Sequence, residues 1–166
     1  MKRLLRILRH LLETRFATRR RFTPAVLDAI EAAVRAAEET HAGEMRFVVE
    51  TDLDAVSILG GKTSRQRALE VFAGLRIWDT ERNNGVLVYV LCADRAVEII
   101  ADRGFNTLVT DSEWGAVCRA MEGDFRAGHW REGAIAGVEG AAGLLARHFP
   151  GSHQGGNELP DRPVLL

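Results

Sequence analysis

At 166 residues with 46% apolar side chains, the chain has the length of one domain and can bury a core without staples. Its two cysteines, Cys92 and Cys118, stand in apolar surroundings with no C-x-x-C pair; this disfavours a disulfide or a zinc site and leaves both as small buried hydrophobes. The net charge of -1 hides an asymmetry: residues 1–22 carry Lys2, Arg3, Arg6, Arg9, Arg15, Arg19, Arg20 and Arg21 against Glu13 alone, so this arm is +7 and the rest of the chain -8.

Within the arm, Leu4, Leu5, Leu8, Leu11 and Leu12 fall on one helical face with arginines beside it, the pattern of a basic amphipathic helix over residues 1–22. Such a helix either packs on its own acidic domain or lies on an anionic membrane surface. Arg6 and Arg9 interrupt the leucines before a signal-peptide core forms. Residues 134–146 are too short to span a bilayer and contain Glu139. A cytoplasmic protein, at most peripheral to the membrane, is expected. Nucleic acid is not an expected partner, because the body is acidic and carries no aromatic-basic platform.

The main domain is expected over residues 23–150. Thr23 as N-cap and Pro24 at the first helical position open a helix with Val26, Leu27, Ile30, Val34 and Ala37 at helical spacing. Met45 to Thr51 reads as a covered strand. After a Gly60-Gly61 loop, Ser64 is expected to cap a helix that buries Ala68, Leu69, Phe72 and Leu75. Val86 to Leu91 is the strongest strand, and the intervening helix makes it a parallel neighbour of the first. Only Cys92 to Arg95 separate it from Ala96 to Ala101, a length that fits a hairpin. Thr110 and Glu113 form a capping box before Trp114, Val117, Cys118, Met121 and Phe125. The last helix, Trp130 to Arg147, contains Gly133, Gly137, Gly140 and Gly143, each costing about 1 kcal/mol relative to Ala; close approach to the sheet is the expected compensation. Residues 151–166 read as a Gly/Pro-rich tail with little to bury. Together these segments specify an α/β fold, a three-layer α/β/α sandwich whose mixed sheet contains one parallel crossover plus a hairpin.

Three stretches in order, Ala37-Glu38-Glu39-Thr40-His41-Ala42-Gly43-Glu44-Met45-Arg46, Asn83-Asn84-Gly85-Val86-Leu87-Val88-Tyr89 and Ala101-Asp102-Arg103-Gly104-Phe105, resemble the TPM domain family. The likeness continues through Trp114, Phe125-Arg126-Ala127-Gly128, His148-Phe149-Pro150 and Asn157-Glu158-Leu159-Pro160-Asp161. The resemblance implies an α/β/α sandwich with no single activity across its members: some are linked to membrane-protein assembly or repair, some have been proposed as phosphatases, and some bind calcium. Many carry a signal sequence and a membrane anchor, which this sequence does not show.

Function must be argued from a site. Asp52-Leu53-Asp54-Ala55-Val56 after a strand matches the D-x-D-x-[TV] pattern in which one carboxylate attacks phosphorus beside Mg²⁺. That chemistry also needs a lysine, and Lys2 and Lys62 are the only two. No G-x-S-x-G or C-x₅-R motif occurs, Gly61-Lys62-Thr63 lacks the first glycine of a phosphate loop, and the histidines show no zinc spacing. Topology offers a better candidate: one end of the sheet gathers Glu44, Asn84 and Asp102, and the following loop leads to Asp111. Carboxylate and amide oxygens suit a hard cation such as Ca²⁺. The competing reading makes Asn83-Asn84-Gly85 a turn, Asp111 a helix cap and Asp102 a backbone acceptor. The opposite end supplies an alternative cluster, Glu50, Asp52, Asp54 and Asp94. The reading that follows is a non-enzymatic accessory domain with a protein or membrane partner and a calcium option; a metal-dependent phosphatase is the alternative.

Overall fold

The computed structural model describes residues 2–151 and 157–166. Among them, strands β1 (Glu44–Glu50), β2 (Gly85–Leu91), β3 (Ala96–Ala101) and β4 (Val164–Leu165) form one sheet in the order β3-β2-β1-β4. The crossover from β1 to β2 is parallel, with Glu44 opposite Gly85 and Glu50 opposite Leu91. β2 and β3 form the expected antiparallel hairpin. All seven residues of β2 are buried, the signature of a strand covered on both faces.

Side-chain alternation divides the core into two layers. Phe47, Val49, Val86, Val88 and Val90 meet α3 (Pro24–Glu38), α6 (Asp111–Ala127) and α7 (Trp130–His148). Val48, Leu87, Tyr89, Leu91 and Ile100 meet the other layer, made by α4 (Ala55–Leu59), α5 (Ser64–Gly74) and Leu159. Local signals fix the helix starts. Thr23 accepts the Val26 N–H with Pro24 in the first turn, and Thr110 and Glu113 complete a reciprocal capping box. The cap of α5 is Thr63 with Gln66, one residue before the expected Ser64. Leu69 is exposed, and Val71 takes a core position on that helix.

Three further expectations are corrected. The basic arm is two helices, α1 (Lys2–Leu12) and α2 (Arg15–Arg21), because Thr14 leaves the helical region to cap α2 through the Ala17 N–H. The glycines of α7 face α6 more than the sheet: a Cβ on Gly137 would collide with the Met121 side chain, and Gly140 faces Val117 at 3.3 Å. Helix-on-helix packing therefore offsets the propensity cost of Gly137. The tail is also part of the fold. Residues 152–156 lie outside the described residues, but beyond them Leu159 and Asp161 are buried and β4 pairs with β1 at Val48 and Val49. Arg46 donates to the Pro160 and Arg162 carbonyls, and Arg162 reaches Asp28 and Glu31 on α3. The sequence of this strap is too short and polar to show strand periodicity; backbone and ion-pair bonds hold it.

Candidate functional site

The expected gathering at one end of the sheet is present in the backbone. Glu44 N–H donates to the Asn84 carbonyl at 3.1 Å, Asp102 N–H to the Gly85 carbonyl at 2.9 Å, and Gly104 N–H to the Asn83 carbonyl at 3.0 Å. Asn83 holds φ at +54°, a left-handed conformation that asparagine adopts more readily than most residues. Gly104 is required beside it, since a Cβ there would meet the Asn83 carbonyl oxygen. The turn before β2 and the turn after β3 are thereby locked together around Asn84 and Asp102.

The side chains differ in how fully they are used. Glu44 is buried, and its two carboxylate oxygens accept the Glu158 and Leu159 N–H groups, both at 3.1 Å. Asn84 donates its amide to the Ala42 carbonyl, and Asp102 Oδ1 accepts the Arg103 N–H at 2.7 Å. The amide oxygen of Asn84, Oδ1, and the second carboxylate oxygen of Asp102, Oδ2, are buried with no hydrogen-bond partner among the described residues. Such atoms cost free energy unless something fills them. Asp111 is elsewhere: it is exposed at the start of α6 and lines a groove of about 340 Å³ with Glu98 and Arg119.

Two buried acids escaped the sequence reading. Glu38 lies on the buried face of α3 one turn after Val34, and its Oε1 accepts the Met45 N–H at 3.0 Å. Burial pushes its carboxyl up to about 8, with Glu44 and Asp161 adding to the rise, while the Met45 bond opposes it. Protonated Glu38 can therefore donate to Asp161, which Arg35 holds at 3.3 Å. The helical spacing of Ile30, Val34 and Glu38 carried the signal for Glu38. Asp161 lay within the Asn157–Asp161 stretch of the resemblance, but no periodicity or spacing in the tail showed that it is buried.

At the opposite end the carboxylates are largely consumed. Arg67 binds Glu50 through Nε and Nη2 at 2.8–3.1 Å, and Tyr89 donates its hydroxyl to the same group. Burial and the Glu50 bond both raise the Tyr89 phenol far above its ordinary range. Asp54 caps α4 through Ser57. Asp94 binds Arg6 at 2.6 Å and His10 at 3.1 Å; burial opposes ionisation, yet these bonds keep its carboxyl below the usual range. Asp52 is exposed. Lys62, the lysine nearest the Asp52-x-Asp54 pattern in sequence, pairs with Glu70 at 2.8 Å. Burial pushes the Cys92 and Cys118 thiols up to about 11, so neither is an activated nucleophile.

A model of the TPM domain matches residues 18–144. The chain belongs to the TPM domain family. Among solved structures, it is similar to the BA42 protein of the psychrophilic bacterium Bizionia argentinensis, with 32% identity and a TM-score of 0.71 over 87% of this chain and 94% of that one. It also resembles the N-terminal domain of a P. gingivalis protein at 20% identity and a TM-score of 0.61, covering 79% and 82%; that likeness concerns the fold. No curated protein matches the sequence. Among the described residues of this TPM domain, no helix is long and apolar enough to cross a membrane.

The donor chemistry at Asn84 and Asp102 fits a hard cation, since both unpartnered atoms are oxygens, one charged and one neutral. It does not fit a tight transition-metal centre. No group of three His, Cys, Asp or Glu side chains converges among the described residues, so water and backbone carbonyls would have to complete the shell.

Proposed function

We propose that this TPM domain is a non-catalytic accessory domain that binds a divalent cation, calcium in preference to magnesium, at the end of the sheet formed by Asn84 and Asp102, and that the cation-ordered loops serve a protein partner. The carrying observation is the pair of buried oxygens, Asn84 Oδ1 and Asp102 Oδ2, that have no hydrogen-bond partner among the described residues. Asp102 would supply the charged ligand and Asn84 the neutral one, with Glu44 adding negative potential nearby while it holds the strap. Calcium is favoured because it accepts an irregular shell of about 6–8 oxygens, whereas magnesium demands near-octahedral geometry. With so few charged ligands the affinity should fall near the weak end for protein sites, about 10⁻⁴–10⁻³ M. The non-catalytic part of the reading is supported by the occupied carboxylates of the opposite end and by the raised thiols.

The test is a calcium titration followed by amide NMR shifts. Saturable shifts at Asn84 and Asp102 to Gly104, absent in Asp102→Asn, are expected. Shifts scattered over exposed acids, or none at all, would remove the proposal.

A further inference from the structure

Amphipathic helices normally turn their apolar face to the protein, but α1 does the reverse. It docks by a polar edge. Arg6 binds Asp94 and donates to the Lys62 carbonyl at 2.7 Å. His10 is 2% exposed; its Nδ1 accepts the Leu53 N–H at 2.9 Å while Nε2 faces Asp94. Ile7 adds the apolar contact on this edge. At about 100° per residue, the five leucines span an arc of about 120° on the opposite side of the helix. Their exposure runs from 51% at Leu8 to 75% at Leu4. On α2, Phe16 is also exposed, with the Arg20 guanidinium 5.7 Å from its ring.

We propose that this outward face is a docking surface for an anionic lipid bilayer, with the leucines entering the acyl boundary and the arginines meeting the headgroups. Charge selects this occupant. Arg3, Arg15, Arg19 and Arg20 are exposed and have no carboxylate partner among the described residues, and the arm's single acid, Glu13, is taken by Arg21 at 2.6 Å. A second copy would bring two +7 arms face to face with no acid to interleave. A nucleic acid would satisfy the arginines but leave the leucines in water. An anionic bilayer satisfies both. The remainder of the chain, at -8, is repelled by such a surface, so the arm leads and the body stays off the membrane. The Arg6–Asp94–His10 clamp fixes the stripe before contact, so docking needs no refolding of the helix.

The inference is independent of the cation site and is tested on the full chain without calcium. Vesicles of phosphatidylcholine with and without phosphatidylglycerol are sedimented with the wild type and with Leu5→Ser/Leu8→Ser/Leu12→Ser, whose positions are all exposed. The proposal expects binding only to the phosphatidylglycerol vesicles, weakened by salt, and lower by about tenfold or more in the triple variant with an unchanged circular dichroism spectrum. Equal binding by the variant would mean that charge alone acts, and would overturn the role of the stripe. Absence of binding would overturn the proposal, as would a wild-type dimer in solution that the three serines dissociate, which would identify a second copy as the occupant.

Discussion

Both ends of the sheet carry buried carboxylates, yet they are used in opposite ways. At the end formed by Glu50 and Asp94, guanidinium, hydroxyl or imidazole groups meet the oxygens. At the end formed by Glu44, Asn84 and Asp102, the partners are mostly backbone N–H groups, and two oxygens have none among the described residues. A carboxylate saturated by arginine is scaffold; the buried oxygens without a partner are where the proposed cation would bind. The distinction lies in partners, not in residue type, and for this reason the two clusters look alike in sequence.

The comparison breaks most visibly at Glu50. Glu50→Ala would leave Arg67 and the Tyr89 hydroxyl without their shared partner and should lower stability by about 3 kcal/mol in urea unfolding. A loss below about 1 kcal/mol would mean that this end is less tightly built than its geometry indicates.

The next effect is one of pH. Glu38 holds its proton up to about 8 in the folded chain against 4.5 unfolded, so the native state binds more protons between those values. The stability contributed by Glu38 is therefore fully present below about pH 4.5, falls as pH rises through that window, and levels off above about 8, by a few kcal/mol in total. Glu38→Gln keeps an acceptor for the Met45 N–H and should flatten this slope; an unchanged slope in the variant would assign it to other groups.

Glu44→Gln should cost about 1–2 kcal/mol, because the amide keeps one acceptor for the strap and replaces the other with an NH2 that cannot accept an N–H. Faster hydrogen exchange at Glu158 and Leu159 would mark the cause. The smallest change is expected at Asp102→Asn, under about 1 kcal/mol without metal, since the substitution keeps an acceptor for the Arg103 N–H.

The sequence made the α/β/α layering legible through patterns that repeat: the apolar run of β2, the four-residue hairpin turn, and the Thr110–Glu113 capping box. It also brought Glu44, Asn84 and Asp102 together, because parallel and antiparallel pairing dictate which strand ends coincide. Asp111 was harder to place, since the loop from Asn106 to Thr110 has no periodicity to give its direction. The docking of the strap was hidden for a similar reason, although Asn157–Asp161 carried part of the resemblance: Val164 and Leu165 are too few to form a pattern, and the Arg46 and Glu44 contacts that hold it are long-range. The inverted docking of α1 depends on Asp94, more than 80 residues away in the chain, so the leucine stripe alone could not reveal which way it faces.

Calorimetry on metal-stripped protein tests the central claim most directly, with calcium, magnesium as control, and the variants Asp102→Asn and Asp94→Asn. The account predicts saturable calcium heat that is lost in Asp102→Asn and retained in Asp94→Asn. Calcium binding that survives Asp102→Asn, or that disappears only in Asp94→Asn, would contradict it.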